Sequence, residues 1–352
     1  MDKSIYINGR FLLQSPTGVQ RYAYEMCLAL SKCGVDFTLI CPKKGIINKS
    51  YDTSLFKIER YGVGGSHFWE QVVLPFFFIW RKNYVLISFT GLGSIFVPNK
   101  IMTVHDLSFL VCRQWFSRVY YYYYKPMTWL AVKTSKHIIT VSEFSKSEIL
   151  RLYPFISVER IHVIYNAANE EKFKSTNTFP KNDVPYYLSV SSLDPRKNFP
   201  RLLDAFKDIE GSKLLIVGGA NKVFSQNQEL QKSENIELLG RVSDEELVHL
   251  YQNATAFIFP SLYEGFGLPV VEAMCVGCPV IASDIPVLHE VCGKAAIYFN
   301  PNDTNDIREK IRYFLDNRQT LIPAMVKKGK ENTLRFSWNN SAMKLVKLLN
   351  TL

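Results

Sequence analysis

The chain has 352 residues, a length that predicts two domains rather than one hydrophobic core. Hydrophobic residues make up 47% and charged residues 21%, which is a globular composition and argues against disorder. The formal net charge of +10 predicts attraction to anions, but no long Lys/Arg run and no helix-turn-helix or RNA-recognition motif indicates a nucleic-acid-binding protein.

The sequence favours a cytoplasmic location. Residues 1–7 enter a strand without the basic start and apolar stretch of a secretory signal. The most apolar segment, 72–80, is too short to span a bilayer, which needs about 20 residues. Seven cysteines form no disulfide framework and are expected to be reduced thiols. Cys275 and Cys278 form a Cys-x-x-Cys motif without a second pair, and we expect ordinary packing there.

Strand-like apolar runs alternate with helix-like segments along the whole chain, which predicts parallel sheets. The runs of the first half are 4–8, 36–41, 85–89, 101–105, 137–141 and 161–165. Those of the second half are 186–190, 213–217, 236–239, 256–259, 279–282 and 295–299. The polar segment 172–184 is predicted to link two doubly wound domains of similar size, and 337–349 is a predicted helix. Ligands bind beyond the carboxyl ends of such strands.

Gly18 follows the first strand and opens a predicted helix within Thr-Gly-Val-Gln-Arg-Tyr. A glycine there allows the backbone to come close to a ligand.

Two segments are unusually aromatic and are flanked by basic residues. They are 67–80 and 115–124, and the second contains five consecutive tyrosines. Aromatic and basic residues together suit a membrane interface or a lipid-linked substrate. Packing of the rings in the core of the first domain is the alternative, and both interpretations remain open.

His105 and Asp106 lie at the end of a predicted strand, in Thr-Val-His-Asp-Leu-Ser. A lone histidine is more often structural, but this one is placed where a doubly wound sheet binds ligands. Asp106 is expected either to orient the imidazole or to cap a turn.

Arg196 and Lys197 directly follow the strand 186–190, in Asp-Pro-Arg-Lys-Asn. An arginine offers a planar fork to phosphate oxygens and a lysine a compact charge, so the pair can stabilise a diphosphate. The chain has no Asp-x-Asp triplet, the usual means by which a transferase holds a metal on a diphosphate. A solvated surface pair is the alternative.

Two glutamates, Glu264 and Glu272, flank a Gly-Phe-Gly turn between a buried strand and a predicted helix. Gly265 and Gly267 permit a sharp turn and a close approach to a ligand, and the N–H groups of the helix start favour a phosphate. Each carboxylate can accept hydrogen bonds from two neighbouring hydroxyls. Amides for phosphate and carboxylates for diols together suit a nucleotide-sugar.

These motifs resemble glycosyltransferase family 4, and the string 260–273 resembles its Glu-x7-Glu signature. The resemblance covers most of the chain, is strongest over 187–301, and is closest in wording to bacterial mannosyltransferase-like members. It implies an α/β GT-B fold, in which two doubly wound, Rossmann-like domains face a central cleft. The implied domains are 1–171 on the acceptor side and 185–336 for the nucleotide-sugar, and the helix in 337–352 is expected to pack back on the first.

The resemblance also assigns roles to individual residues. It places Glu264 by the donor sugar, Glu272 on the ribose, and His105 near the reacting carbon. The implied catalytic residues are therefore His105 and Glu264. The implied donor-binding residues are Gly18, Arg196, Lys197, Gly265, Phe266, Gly267, Leu268 and Glu272. No metal ligand and no cofactor is expected.

The resulting hypothesis is a retaining, metal-independent glycosyltransferase that moves a hexose, with mannose as a candidate, from a nucleoside-diphosphate-sugar to a growing, lipid-linked glycan. The expected partners are this donor, the glycan acceptor and an anionic membrane surface on the inner face of the membrane, but not nucleic acid. Two alternatives stay open: a GT-B sugar-nucleotide epimerase or hydrolase, which needs no acceptor, and a non-enzymatic anion-binding protein.

Overall fold

Two parallel β-sheets organise the chain, one in each of two units. The computed structural model describes residues 3–169, 184–192, 194–218 and 235–352. Unit 1 comprises residues 1–166 and 337–352, and unit 2 comprises residues 167–336. The predicted linker 172–184 lies, apart from Val184, outside the described residues.

The sheet of unit 1 is built from short, largely buried strands. They are β1 (Ser4–Asn8), β2 (Thr38–Cys41), β3 (Lys57–Arg60), β4 (Tyr84–Ser88), β5 (Lys100–Val104), β6 (His137–Thr140) and β7 (Ile161–Val163). All pairings are parallel, in the order β3-β2-β1-β4-β5-β6-β7. The chain first extends from β1 to β3 and then returns to place β4 beside β1. This reversal is a topological switch point, where ligands bind in sheets of this kind.

Helices connect the strands of unit 1. They are α1 (Gly18–Lys32), α2 (Ser66–Phe68), α3 (Leu74–Phe78), α4 (Ser108–Val111), α5 (Arg118–Thr134) and α6 (Glu143–Leu152). A π-helical turn, Trp69–Val73, joins α2 to α3. Strands β4 and β5 are buried at every position, as expected for a parallel sheet covered on both faces.

Unit 2 repeats this plan. Its strands are β8 (Tyr186–Val190), β9 (Lys213–Val217), β10 (Ile236–Gly240), β11 (Ala256–Phe259), β12 (Val280–Ser283) and β13 (Ala296–Phe299). They pair in parallel in the order β10-β9-β8-β11-β12-β13, so the switch point of this sheet lies between β8 and β11. Its described helices are α7 (Phe199–Phe206), α8 (Asp244–Asn253), α9 (Leu268–Cys275), α10 (Pro286–Cys292), α11 (Thr304–Asp316) and α12 (Arg318–Thr333).

The last helix, α13 (Trp338–Asn350), belongs to unit 1 and packs on α1. The ring of Trp338 lies 5.6 Å, centroid to centroid, from that of Tyr22, and Ser341 Oγ donates to the Tyr165 carbonyl over 2.8 Å. The chain thus returns to its first unit after completing the second.

The strand predictions agree closely with the structure, and β1, β8, β9 and β11 have the predicted bounds. Strand β3 was not predicted. Its residues, Lys-Ile-Glu-Arg, include three charged side chains and one apolar side chain, and they form a partly exposed strand at the edge of the sheet. A short polar edge strand lacks the apolar run that marks a buried one.

The aromatic segments divide between two environments. In 67–80, Trp69, Leu74, Phe77 and Phe78 are buried, whereas Phe68, Val72, Phe76, Ile79 and Trp80 are exposed. On α5, Tyr120 and Tyr124 stack with ring centroids 4.2 Å apart, while Tyr122 is largely exposed. Neither interpretation of the sequence therefore describes all the rings. Within the described ranges, no helix is both long and apolar enough to cross a bilayer.

The cysteines are free thiols in the part of the chain that the structure describes. Burial raises the pKa of Cys41 to about 11, and it also raises the pKa of Cys278. Such thiols are protonated at neutral pH and therefore weak nucleophiles.

Two histidines meet across β6 and β7. His137 Nδ1 lies 3.0 Å from His162 Nε2, a hydrogen bond that requires one ring to donate and the other to accept. Burial, helped by His162, Lys136 and Arg160, lowers the pKa of His137 to about 4, and burial also lowers that of His162. Protonation of the accepting ring would set two N–H groups against each other.

This pair should make the fold acid-sensitive. Because the folded pKa of His137 lies below its unfolded value of about 6.5, the unfolded chain binds more protons between those values. Stability should therefore fall as the pH drops from about 6.5 to about 4. In thermal melts across this range, His137→Gln should show a shallower fall in Tm than the parent protein. His249→Gln, in unit 2, is the control, and parallel curves for His137→Gln and the parent would contradict the prediction.

Candidate active site

A tight turn after β8 presents Arg196 and Lys197. Asp194 begins the 3-10 helix Pro195–Lys197, and its Oδ1 accepts from the Arg196 N–H over 3.0 Å. Asn198 ends the turn in the left-handed conformation, with φ at 58°, and its side chain donates to the Pro301 carbonyl over 2.7 Å. The two basic residues are thus fixed at the carboxyl edge of the sheet.

A second loop, after β11, carries Glu264 and leads into α9. Gly267 has φ at 93°, a conformation that favours glycine, and a Cβ atom there would lie 2.9 Å from Leu288 Cδ2 and displace that methyl group. Helix α9 begins at Leu268, and Pro269 is its second residue. Glu272 is the fifth residue of α9 and lies just beyond its first turn.

The two loops are joined directly. The Leu262 N–H donates to the Arg196 carbonyl over 2.7 Å. Lys197 Nζ donates to Glu264 Oε1 over 2.5 Å, and the side chains of both residues are about nine-tenths buried. The ion pair fixes a cation and a carboxylate at the switch point between β8 and β11. The sequence had suggested different targets for the two groups, the diphosphate for Lys197 and the donor sugar for Glu264.

Glu272 and Phe266 are positioned by contacts with other residues of unit 2. Tyr251, buried on α8, donates its hydroxyl to Glu272 Oε2 over 3.3 Å. The Phe266 ring is buried and makes an edge contact with Phe336, with centroids 5.3 Å apart. The structure thus brings together Arg196, Lys197, Glu264, Gly265, Phe266, Gly267, Leu268 and Glu272 on the loops after β8 and β11 and on α9. Their individual roles remain predictions.

His105 lies just after β5 in unit 1. Its Nε2 is 2.8 Å from the Phe89 carbonyl, so Nε2 carries the hydrogen and Nδ1 the lone pair of a neutral ring. Burial lowers the pKa of His105, although Phe89 and Asp106 oppose this, which favours the neutral form. Asp106 Oδ1 accepts from the N–H and the hydroxyl of Ser108 and caps that turn.

Gly18 begins α1, as predicted, on the loop after β1. A Cβ atom at Gly18 would meet nothing within 4 Å, so the space beside this residue is open. The first N–H groups of a helix of this length favour an anion.

Unit 1 also contains a polar cluster that was not predicted from the sequence. It contains Asn8, Arg10 and Glu70, of which Glu70 is completely buried. The available signal was a glutamate within the apolar segment 67–80, because a buried carboxylate requires partners.

No group of three or more His, Cys, Asp and Glu residues arranged to hold a metal ion occurs among the described residues.

Comparisons with known proteins agree with this architecture. The family model described as Glycosyltransferase Family 4 matches residues 16–172, and that described as Glycosyl transferases group 1 matches residues 169–332. The O-antigen chain mannosyltransferase RfbU of Salmonella typhimurium is 36% identical over 328 residues, covering 87% of this chain and 89% of that protein. The chain belongs to glycosyltransferase family 4. The O-antigen chain mannosyltransferase B of Escherichia coli is 31% identical over 70% of each chain.

Solved structures identify the fold as GT-B. Sucrose-phosphate synthase of Thermosynechococcus elongatus superposes with a TM-score of 0.79 at 19% identity, covering 99% of this chain and 98% of that one. Anabaena HepE, solved with UDP and glucose, gives a TM-score of 0.77 at 17% identity, covering 99% and 100%. The family 4 chain is therefore a glycosyltransferase with the GT-B fold, as the sequence analysis predicted.

The buried ion pair of unit 2 should be strongly coupled. Lys197→Met or Glu264→Gln alone leaves the partner without its charge in a buried position, and each should lower the free energy of unfolding by about 2 to 3 kcal/mol. The double variant should lose less than the sum of the two. Denaturant unfolding of the parent, the two single variants and the double variant measures the coupling energy. Strictly additive losses would mean that the interaction between Lys197 and Glu264 contributes no free energy of unfolding.

Proposed function

We propose that this glycosyltransferase is a retaining, metal-independent mannosyltransferase that extends a lipid-linked surface polysaccharide. Mannose is supported by the relatives, which are named O-antigen chain mannosyltransferases. The observation that carries the proposal is the joined pair of loops after β8 and β11. They bring Arg196, Lys197, Glu264 and the start of α9 to one switch point.

This arrangement suits a nucleoside-diphosphate-sugar. Arg196 and the N–H groups at the start of α9 would hold the diphosphate, and Glu272 the ribose hydroxyls. Glu264, oriented by Lys197, would accept from hydroxyls of the donor sugar. In unit 1, Nδ1 of His105 can accept a hydrogen bond from a ligand hydroxyl, because the Nε2 hydrogen is used by the Phe89 carbonyl.

The reaction proceeds on one face of the donor sugar. The acceptor hydroxyl attacks the anomeric carbon from the side on which the bond to the diphosphate oxygen breaks, and its proton passes to the leaving phosphate. Negative charge grows on the diphosphate, and fixed cations stabilise it without a metal. Retention rests on membership of the family.

A donor panel in chelator tests the function. GDP-mannose should be turned over in the presence of an acceptor preparation from polysaccharide-producing cells, and an excess of EDTA should leave the rate unchanged. Arg196→Ala should lower turnover about a hundredfold because it removes a cation from the developing diphosphate. Loss of activity in EDTA that magnesium or manganese restores would refute the metal-free mechanism. Equal turnover without acceptor would favour an epimerase or hydrolase.

Carboxamide variants separate the two glutamates. Glu272→Gln should weaken binding of the nucleoside diphosphate about tenfold, measured by calorimetry, because it replaces a charged hydrogen-bond acceptor. Glu264→Gln should chiefly lower kcat. Glu309→Gln, an exposed carboxylate on α11, is the matched control and should change neither quantity.

Attachment to an anionic bilayer is the second part of the proposal. Phe68, Val72, Phe76 and Trp80 recur every four residues on the outside of the segment 66–80, and Trp80 is 91% exposed. Four-residue spacing places side chains on one helical face. Arg81 and Lys82 follow directly, and Arg118 and Lys125 lie on α5. An apolar stripe beside basic residues is typical of a helix that lies in a membrane interface.

Vesicle binding should depend on this stripe. Co-sedimentation with vesicles of phosphatidylglycerol and phosphatidylcholine should exceed that with phosphatidylcholine alone, and should weaken at high salt because the charge attraction is screened. Trp80→Ser should reduce partitioning roughly tenfold through lost apolar burial. Ile46→Ser, at a position that is 88% exposed outside the stripe, is the matched control. Equal losses in both variants, or no sedimentation of the parent protein, would contradict attachment through the stripe.

A further inference from the structure

A buried charge pair lies at the switch point of unit 1. Arg10 follows β1, and its Nη2 lies 3.4 Å from Glu70 Oε2. Asn8, the last residue of β1, donates from Nδ2 to Glu70 Oε1 over 2.6 Å. A Cβ atom on Gly91, in the loop after β4, would lie 2.9 Å from Arg10 Nη2, so the guanidinium fills the space between the ends of β1 and β4.

The π-helical turn orients Glu70. Trp69, Glu70 and Gln71 are consecutive and all buried. Gln71 extends the anchoring: its Nε2 donates to the Gly93 carbonyl over 2.7 Å, and its Oε1 accepts from the Ile95 N–H over 3.0 Å. Isolated π turns are uncommon and occur frequently at functional sites.

The outer side of this cluster is accessible. Arg10 Nη1 donates to Ser66 Oγ over 3.0 Å. His67, whose side chain is 34% exposed, has its Nδ1 4.0 Å from Glu70 Oε2 and its Nε2 2.9 Å from the Tyr124 hydroxyl. The His67 ring also contacts that of Tyr123, with centroids 5.6 Å apart. Half-exposed aromatic rings therefore border a small set of fixed polar groups.

Hydrogen-bonding capacity remains in the cluster. Among the described residues, Arg10 Nε, His67 Nδ1 and Glu70 Oε2 are buried and make no hydrogen bond. Buried polar atoms are normally paired, so three in one cluster require an explanation. One is a donor, one an acceptor, and the imidazole nitrogen can be either, so the cluster keeps polar capacity beneath the exposed rings that its own hydrogen bonds do not use.

Charge distinguishes between classes of ligand. Arg10 and Glu70 neutralise each other, and burial together with the Arg10 charge lowers the pKa of His67, which favours a neutral imidazole. The cluster therefore has no net charge to offer an anion. Aromatic rings beside a few polar groups suit a neutral polyhydroxylated ligand.

We propose that Ser66, His67, Tyr123 and Tyr124 form an acceptor-sugar subsite in unit 1, with Glu70 and Arg10 as its positioning residues. The inference rests on the proposed function, since an acceptor sugar is needed only by a transferase. Glu70 does not touch the sugar because it is fully buried; its carboxylate fixes Arg10 and lies 4.0 Å from His67 Nδ1.

Binding of simple glycosides tests the subsite independently of catalysis. Saturation-transfer NMR would be recorded on the full chain with methyl glycosides of mannose, galactose, glucose and N-acetylglucosamine, in the presence of saturating nucleoside diphosphate. At least one glycoside should bind, and inorganic pyrophosphate should not displace it. Tyr124→Phe should weaken this binding roughly fivefold through one lost hydrogen bond. Tyr122→Phe removes a hydroxyl from the same tyrosine run outside the cluster and should have no effect.

Kinetics then separate positioning from folding. His67→Asn and Glu70→Gln should raise the KM of the acceptor about tenfold or more, while the nucleoside-diphosphate Kd stays unchanged. Glu70→Gln breaks the buried ion pair and could therefore disturb folding. Tyr124→Phe leaves that ion pair intact, so it tests the subsite without this complication. Unchanged acceptor KM and unchanged glycoside binding in both Tyr124→Phe and His67→Asn would overturn the subsite, as would displacement by pyrophosphate. A failure of the proposed function would differ, since GDP-mannose would then not be turned over by the parent protein.

Discussion

The direction of the parallel strands is the constraint on which the rest of this structure depends. Parallel strands end at one edge of a sheet, so the loops that follow them gather there. Where the strand order reverses, two such loops diverge and leave space between them. The reversals fall between β1 and β4 in unit 1 and between β8 and β11 in unit 2. The joined loops of Lys197 and Glu264 lie at the second reversal, and the Arg10 and Glu70 pair lies at the first.

Each reversal carries a buried ion pair, which is an expensive arrangement in isolation. Removing two charges from water costs several kcal/mol per ion, and the mutual attraction offsets this only when the geometry is good and further hydrogen bonds are made. The Lys197 and Glu264 atoms are 2.5 Å apart, a close contact between the two charges. The Arg10 and Glu70 atoms are 3.4 Å apart; Asn8 adds a hydrogen bond to Glu70 and Ser66 one to Arg10, but Arg10 Nε and Glu70 Oε2 make none. Such pairs are weak evidence for stability, and their position at the reversals favours a role in orienting ligand-binding groups.

The sequence predicted the fold far better than the contacts within the site. Buried parallel strands are apolar runs bounded by turn residues, and β8 and β11 were therefore found with their correct bounds. The loops after them were recognised because their glycines and charged residues follow those runs. The ion pair was not, because its members are 67 positions apart and pairing depends on tertiary packing. The same holds for Asn8 and Glu70, which are 62 positions apart. Strand β3 was missed because a polar edge strand has no apolar run, and the π turn because nothing in the composition of Trp-Glu-Gln-Val-Val distinguishes it from an α-helix.

The segment 66–80 presents polar side chains to the interior of unit 1 and apolar side chains to the outside. The π turn makes this arrangement possible. Three consecutive side chains, Trp69, Glu70 and Gln71, face inward, although successive residues of an α-helix point in directions far apart. The wider turn accommodates them, while Phe68, Val72 and Phe76 keep a four-residue spacing on the outside. The inner side fixes the loop after β1 through Arg10 and the loop after β4 through Gly93. If the outer side lies in a bilayer interface, the polar cluster around His67 is held within one helical diameter, about 10 Å, of the lipid headgroups. This short distance would favour an acceptor sugar attached to a lipid carrier, because the lipid could stay in the membrane during transfer.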